Sequence, residues 1–161
     1  ELEKRLPFPF FAGWGISFDV VDAYKNAATA LSACKKDQNH YTFLVTESQE
    51  MVGPLNSNRS ISYSLKPHAQ TSSLAKSLGI SPINLEKIIS LQKERSMYEF
   101  TSSDLVYFLE ITPRSASRIL SKLSSADLAH PVRTINLNGT GRPLTVYEID
   151  FSNIKEFWGS H

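Results

Sequence analysis

Two helix-start signals stand eleven residues apart in TSSDLVYFLEITPRSASRILSKL, residues 101–123, and they constrain the fold more than any other stretch of the chain. Thr101, with Asp104 three positions on, has the form of a capping box, in which the hydroxyl and the carboxylate each satisfy a backbone N–H of the first turn. Thr112 followed by Pro113 is a second start, because proline has no N–H to lose at the first helical position. Leu105, Phe108 and Leu109 give the first helix an apolar stripe, and Ala116, Ile119, Leu120 and Leu123 give one to the second at i, i+3, i+4 and i+7. Ile111 is placed to plug the corner between them. The spacing therefore predicts two helices, from about Ser102 and over 113–124, meeting across a turn.

Burial of that second stripe leaves Arg114, Ser115, Ser117, Arg118, Ser121 and Lys122 facing outward, with Thr112 at the helix's N-terminal end. Between Ile111 and Ala126 there is no acidic residue. A helix shown only to water more often mixes Glu with Lys. Short hydroxyl side chains let a helix backbone approach a flat partner closely, while guanidinium groups reach base edges or phosphates, so this face has the shape and charge suited to the DNA major groove. Thr112, Arg114, Ser115, Ser117, Arg118, Ser121 and Lys122 are the candidate contacts.

Downstream, AHPVRTINLNGTGRPLTVYEIDF reads as two β-runs around a tight turn. Asn138-Gly139 tolerates the positive φ that a hairpin turn demands, and Pro143 stiffens the backbone beside Arg142. Arg142 at such a tip suits a backbone contact or insertion into a narrow minor groove.

Helix, turn, helix and a hairpin over about 132–149: residues 82–150 resemble bacterial winged helix-turn-helix transcription regulators, on the strength of TSSDLVYFLEITPRSASRILSKLSSADL, GTGRPLTVYEI and the helix from Pro82. The resemblance implies a cytoplasmic regulator that binds double-stranded DNA as a homodimer, with the helix over 113–124 in the major groove and Arg142 on the wing. One departure stands out. Between Gln70 and Phe151 there are nine Lys or Arg and eight Asp or Glu, so the segment lacks the positive excess common in DNA readers. Affinity is then expected to depend on dimerisation. The alternative is a protein-interaction or assembly module of the same fold that binds no DNA.

The first part of the chain has a different texture. LPFPFFAGWGISFDVVDAYKNAATALSACKKDQNHYTFLVTESQEMVGPL reads as strand, helix, strand, with small residues on one helix face. GWGISFDVVDAYKNAATALSACKKDQNHYTFLV is similar in order to the C-terminal part of a degenerate GGDEF-like domain, residues about 8–46. The name-giving motif is absent, so no metal-binding or catalytic position is carried over. The resemblance implies a sensor unit. One helix and two strands cannot cover both faces of a sheet, which makes this piece a candidate dimerisation unit and a candidate site for an effector. The abrupt opening ELEKRLPFPFF is expected of a piece cut from a longer protein.

The organisation expected is α+β: a small α/β unit over 1–55, a Ser/Asn/Gly/Pro-rich linker over 56–70 with some strand near Ile61 to Leu65, a winged helix-turn-helix domain over 71–151, and a C-terminal aromatic tail over 152–161. In the tail, with Phe151 before it, Phe151, Ile154, Phe157 and Trp158 form a short apolar stripe if helical. No run of about 18 apolar residues occurs, and the start lacks the basic-then-apolar form of a secretory signal.

Enzymatic chemistry finds little support. Gly13-Trp14-Gly15 opens like a dinucleotide loop, but Phe18 stands where a third glycine is needed. His40, His68, His130 and His161 are scattered without ligand or triad spacing. Cys34 is the only cysteine and lies on the apolar side of the first helix, as a packed small hydrophobe would. No enzyme activity, metal or cofactor is expected.

Overall fold

The GWG tripeptide shows why the first unit folds as it does. In the computed structural model, which describes residues 11–36, 42–136 and 143–151, Gly13–Gly15 is strand β1 and is followed by helix α1, Val20–Lys36. A Cβ added at Gly13 would lie 2.2 Å from the Leu31 nitrogen, and one at Gly15 would lie 2.2 Å from the Ala23 carbonyl oxygen. The helix backbone therefore rests directly on the strand, which only glycine on one side and alanine on the other permit. Asp19 starts the helix, its Oδ1 accepting from the N–H groups of Val21 at 2.8 Å and Asp22 at 3.1 Å.

After α1 the chain forms β2 (Phe43–Val45), parallel to β1, then β3 (Glu50–Gly53) and β4 (Ile61–Ser64), each antiparallel to the one before. The sheet order is β1-β2-β3-β4. Phe43, Val45, Met51, Ile61 and Tyr63 are buried with Ala30 and Cys34 of α1. Asn26, also buried, locks the crossover: its Nδ2 donates to the carbonyls of Ile16 and Thr46, and its Oδ1 accepts from Gln49 Nε2. All its polar atoms are used, as burial demands.

The two strands expected over 1–55 are thus three, with β3 the addition, and the strand expected near Ile61 to Leu65 is β4. The stretch 56–70, whose composition suggested a linker, carries β4, and the Leu65 N–H donates to the Gln49 carbonyl beyond it. A period-two pattern runs through its serines, with Ile61 and Tyr63 buried while Ser62 and Ser64 lie on the other face. Contacts divide the chain between Lys66 and Pro67.

The second unit contains α2 (Ala69–Leu78), α3 (Pro82–Arg95), β5 (Glu99–Phe100), α4 (Ser102–Leu109), α5 (Pro113–Ser125), β6 (Ala129–Ile135) and β7 (Leu144–Ile149). Its sheet has the order β5-β7-β6 and is antiparallel throughout. Leu85, Ile88, Leu91, Phe100, Leu105, Leu123, Ile149 and Phe151 form the core. Gln92, 1% exposed, ties α3 to the sheet by donating from Nε2 to the Ile149 carbonyl at 2.7 Å. The chain is therefore α+β, with five helices and two sheets among its described residues. No described helix is long and apolar enough to cross a membrane.

Candidate nucleic-acid interface

The corner between α4 and α5 is built from local chemistry. Thr101 is the N-cap of α4: its Oγ1 accepts from the Asp104 N–H at 3.2 Å, while the Asp104 carboxylate accepts from the Thr101 N–H at 2.7 Å. Both orphan donors of the first turn are satisfied reciprocally. Glu110 closes α4 in the left-handed region, φ 57°, its N–H donating to the Val106 carbonyl. Two residues later Thr112 caps α5, accepting from the Ser115 N–H at 3.2 Å, with Pro113 in the first turn. Ile111, at the corner, is half-buried.

Once Ala116, Ile119, Leu120 and Leu123 are buried against the second unit's core, the helical period decides the rest of α5. Arg114, Ser115, Ser117, Arg118 and Ser121 are all exposed. Arg114, Ser117, Arg118 and Ser121 repeat the i, i+3, i+4, i+7 spacing on the face opposite the core. Among the described residues neither arginine has an ion-pair partner. Thr112 is exposed too, but its hydroxyl is committed to Ser115.

Lys122 behaves differently from the two arginines. It is half-buried, and its Nζ donates to the carbonyl oxygen of Gly79, the residue that ends α2. Of the eight candidate contacts read from the sequence, five therefore share one open helix face, Thr112 caps that helix, and Lys122 is turned toward α2. The eighth, Arg142, lies outside the described residues, as do the Asn138-Gly139 turn and the tail residues Ile154, Phe157 and Trp158.

Beside the open face of α5 lies a groove of about 700 Å³, between α5 and β7. Ser117, Ser121, Ser124 and Ser125 line one wall, and Thr145 and Tyr147 the other. Among the described residues no charged side chain lines it. Hydroxyl groups both donate and accept, so such a groove can hold a polar backbone without fixing its sequence. Ser124, Ser125, Thr145 and Tyr147 were not among the residues singled out from the sequence. The serines continue the 117–121 row by one turn, a signal present in the sequence, whereas Thr145 and Tyr147 enter only through the strand pairing that brings β7 alongside.

Away from the groove, Arg133 of β6 and Glu99 of β5 pair across the sheet through both guanidinium nitrogens, Nη1 to Oε1 at 2.6 Å and Nη2 to Oε2. The hydrogen bond from Arg133 holds the Glu99 carboxyl below its ordinary range, and Glu99 raises Arg133 in turn. Among the described residues no group of three His, Cys, Asp or Glu side chains could hold a metal ion. No protein-family model matches the chain, and no curated protein matches it significantly in sequence.

Proposed function

We propose that the second unit is a winged helix-turn-helix domain that binds double-stranded DNA sequence-specifically and regulates transcription. The observation that carries this reading is the exposed row Arg114, Ser117, Arg118 and Ser121, bordered by a hydroxyl-lined groove and unpaired with any acid among the described residues. A helix with side chains is about 10–12 Å across and the major groove is about 12 Å wide, so α5 enters with this row against the base edges. Arg118 reads a base edge, Arg114 meets phosphate near the helix N-terminus, and the antiparallel pair β6 and β7 is the wing.

Lys122 is left out of the interface, because its ammonium already serves the end of α2. Few cations then carry the electrostatic part of binding, so a second copy bound to the other half-site is needed for useful affinity. The first unit acts as the sensor or dimerisation part, and an effector acting there shifts the population of DNA-competent dimers.

Selection of the whole protein against a random duplex library tests this. Enrichment of a two-fold symmetric sequence is the expected result. Recovery of no duplex above background would favour the alternative, an interaction module, which the near balance of nine basic and eight acidic residues also allows.

A further inference from the structure

One edge of the first unit's sheet is open and ringed by apolar side chains. β1 pairs with β2 on one side and, among the described residues, with no strand on the other. The Ile16 N–H donates to the Val45 carbonyl, so the alternation of a parallel ladder turns the N–H and C=O groups of Gly13 and Gly15 away from β2, toward the open edge. Such a row of unpaired backbone groups is a template for one more strand.

Trp14, Ile16, Phe18, Val20, Val21 and Tyr24 are each more than half exposed, Phe18 by 94%. Taking ~200 Å² for an aromatic side chain and somewhat less for an aliphatic one, they show on the order of 700 Å² of side-chain surface. That exceeds the ~300–600 Å² of the largest patch on a typical monomer and approaches the ~800 Å² per partner of a stable interface. The strand at the sheet's other edge is guarded instead: β4 buries Ile61 and Tyr63 and carries Ser62 and Ser64 on its second face.

Helix α1 limits what can occupy the open edge. Its backbone rests directly on β1, as the close approaches at Gly13 and Gly15 show. A partner with a helix of its own over the same face would bring two helices to about one strand spacing, ~4.8 Å, where packed helices need ~8–10 Å. That excludes a second copy joined through β1, and any dimer formed for DNA binding is joined elsewhere. A lone extended segment meets no such obstacle.

Both faces of the edge offer apolar cover to such a segment. Asn26, on one flank of α1, reaches the turn after β2. At ~100° per residue, Val20, Leu31 and Tyr24 fall ~120–160° around the helix from Asn26, on the flank beyond β1. Trp14 and Ile16 project from the opposite face of the sheet, since Gly13 and Gly15 meet α1 on the first. The acids nearest the patch are engaged, Asp19 at the start of α1 and Asp22 with Lys25 at 2.8 Å.

We propose that the β1 edge binds an extended apolar segment of another protein, which adds to the four-stranded sheet as a fifth strand. Gly13 and Gly15 supply the main-chain hydrogen bonds, and the two faces supply the selection. Beneath the flank of α1 the added strand carries small apolar side chains. On the opposite face, larger β-branched or aromatic ones pack beside Trp14 and Ile16. Covered on both faces, the segment is a continuous apolar run rather than an alternation of apolar and polar residues. The inference goes beyond DNA binding and is independent of it.

Selection of random peptides of ~12 residues on the whole chain tests the inference. Enrichment of apolar runs that alternate small with β-branched or aromatic residues is the expected result. Tyr24→Glu and Trp14→Ser, at exposed positions above and below the edge, should each weaken the selected peptide by at least ~30-fold with the helical circular dichroism unchanged, as loss of an interface anchor does. N-methylation of the peptide amides that face β1 should weaken it by ~10-fold or more, and methylation in the other phase should be tolerated. Saturation with the peptide should slow hydrogen exchange at the Gly13 and Gly15 amides. No peptide bound at ~1 mM overturns the proposal, as does binding that ignores the substitutions or the methylation phase, or that selects apolar residues at helical spacing. Three further results assign the edge to another occupant and overturn it equally. They are peptide binding only after removal of residues 1–10, slowed Gly13 and Gly15 exchange on raising protein concentration alone, and partition into phosphatidylcholine vesicles that Tyr24→Glu abolishes.

Discussion

The ammonium of Lys122, on α5, donates a hydrogen bond to the carbonyl oxygen of Gly79, the residue that ends α2. A cation at the C-terminus of a helix meets its negative end and satisfies a carbonyl the helix itself cannot. Lys122→Ala is therefore expected to lower stability by about 0.5–1 kcal/mol in urea titration, while leaving the salt dependence of duplex binding unchanged. Gly79 has φ +61°, and an added Cβ would approach the Lys122 nitrogen to 3.0 Å. Gly79→Ala should cost about 1–2 kcal/mol, chiefly through the left-handed backbone.

At Gly15 the obstacle is backbone rather than a movable side chain: an added Cβ would meet the Ala23 carbonyl oxygen at 2.2 Å and the Ala27 nitrogen at 2.3 Å. Gly15→Ala is expected to force α1 off the sheet and to destabilise the first unit by ~3 kcal/mol. Native-state hydrogen exchange should show faster exchange in α1, with α3 and α5 in the second unit unaffected.

Removal of the α4 cap isolates the corner that orients α5. Thr101→Ala loses the Oγ1 that accepts from the Asp104 N–H, in a residue only 6% exposed. A loss of about 1–2 kcal/mol is expected in chemical denaturation. Thr101→Ser should recover most of it, because the hydroxyl remains.

The pairing of Glu99 with Arg133 predicts the direction of a pH effect. The carboxyl of Glu99 is held below its ordinary range by its hydrogen bond from Arg133. Its contribution to folding is thus fully present above the unfolded-state value and is lost as pH falls through the lowered folded value. Carbon-detected titration of the Glu99 side chain should give a depressed midpoint in the native protein, returning toward the ordinary carboxylate range in Arg133→Gln. An unshifted midpoint in the native protein would contradict the pairing.

Caps and stripes were the most legible features. Thr101, Asp104, Thr112 and Pro113 announce α4 and α5 because capping acts between residues three apart, so the sequence holds the whole interaction. The outward placement of Arg114, Ser117, Arg118 and Ser121 follows from the same helical period. The strand near Ile61 to Leu65 was legible as β4 even inside a stretch that reads as linker by composition, whereas its partner β3, Glu50–Gly53, was not, since four residues ending in a glycine carry too short an alternation to stand out. The diversion of Lys122 was not legible at all. Its partner stands 43 residues away, and no local rule links a lysine on α5 to the end of α2. The meaning of Gly13 and Gly15 also depended on a distant element, because the close approach that requires them is to α1.

Whether the row on α5 faces DNA is decided most directly by measuring affinity for the selected duplex between 50 and 400 mM salt, for the native protein and for Arg118→Ala. The native protein is expected to give a straight fall of log K with log salt, at about −0.9 per phosphate neutralised, and Arg118→Ala to lose ~1–3 kcal/mol against that duplex. Absence of duplex binding at the lowest salt, or an Arg118→Ala protein with undiminished affinity, would contradict the assignment of α5 to the major groove.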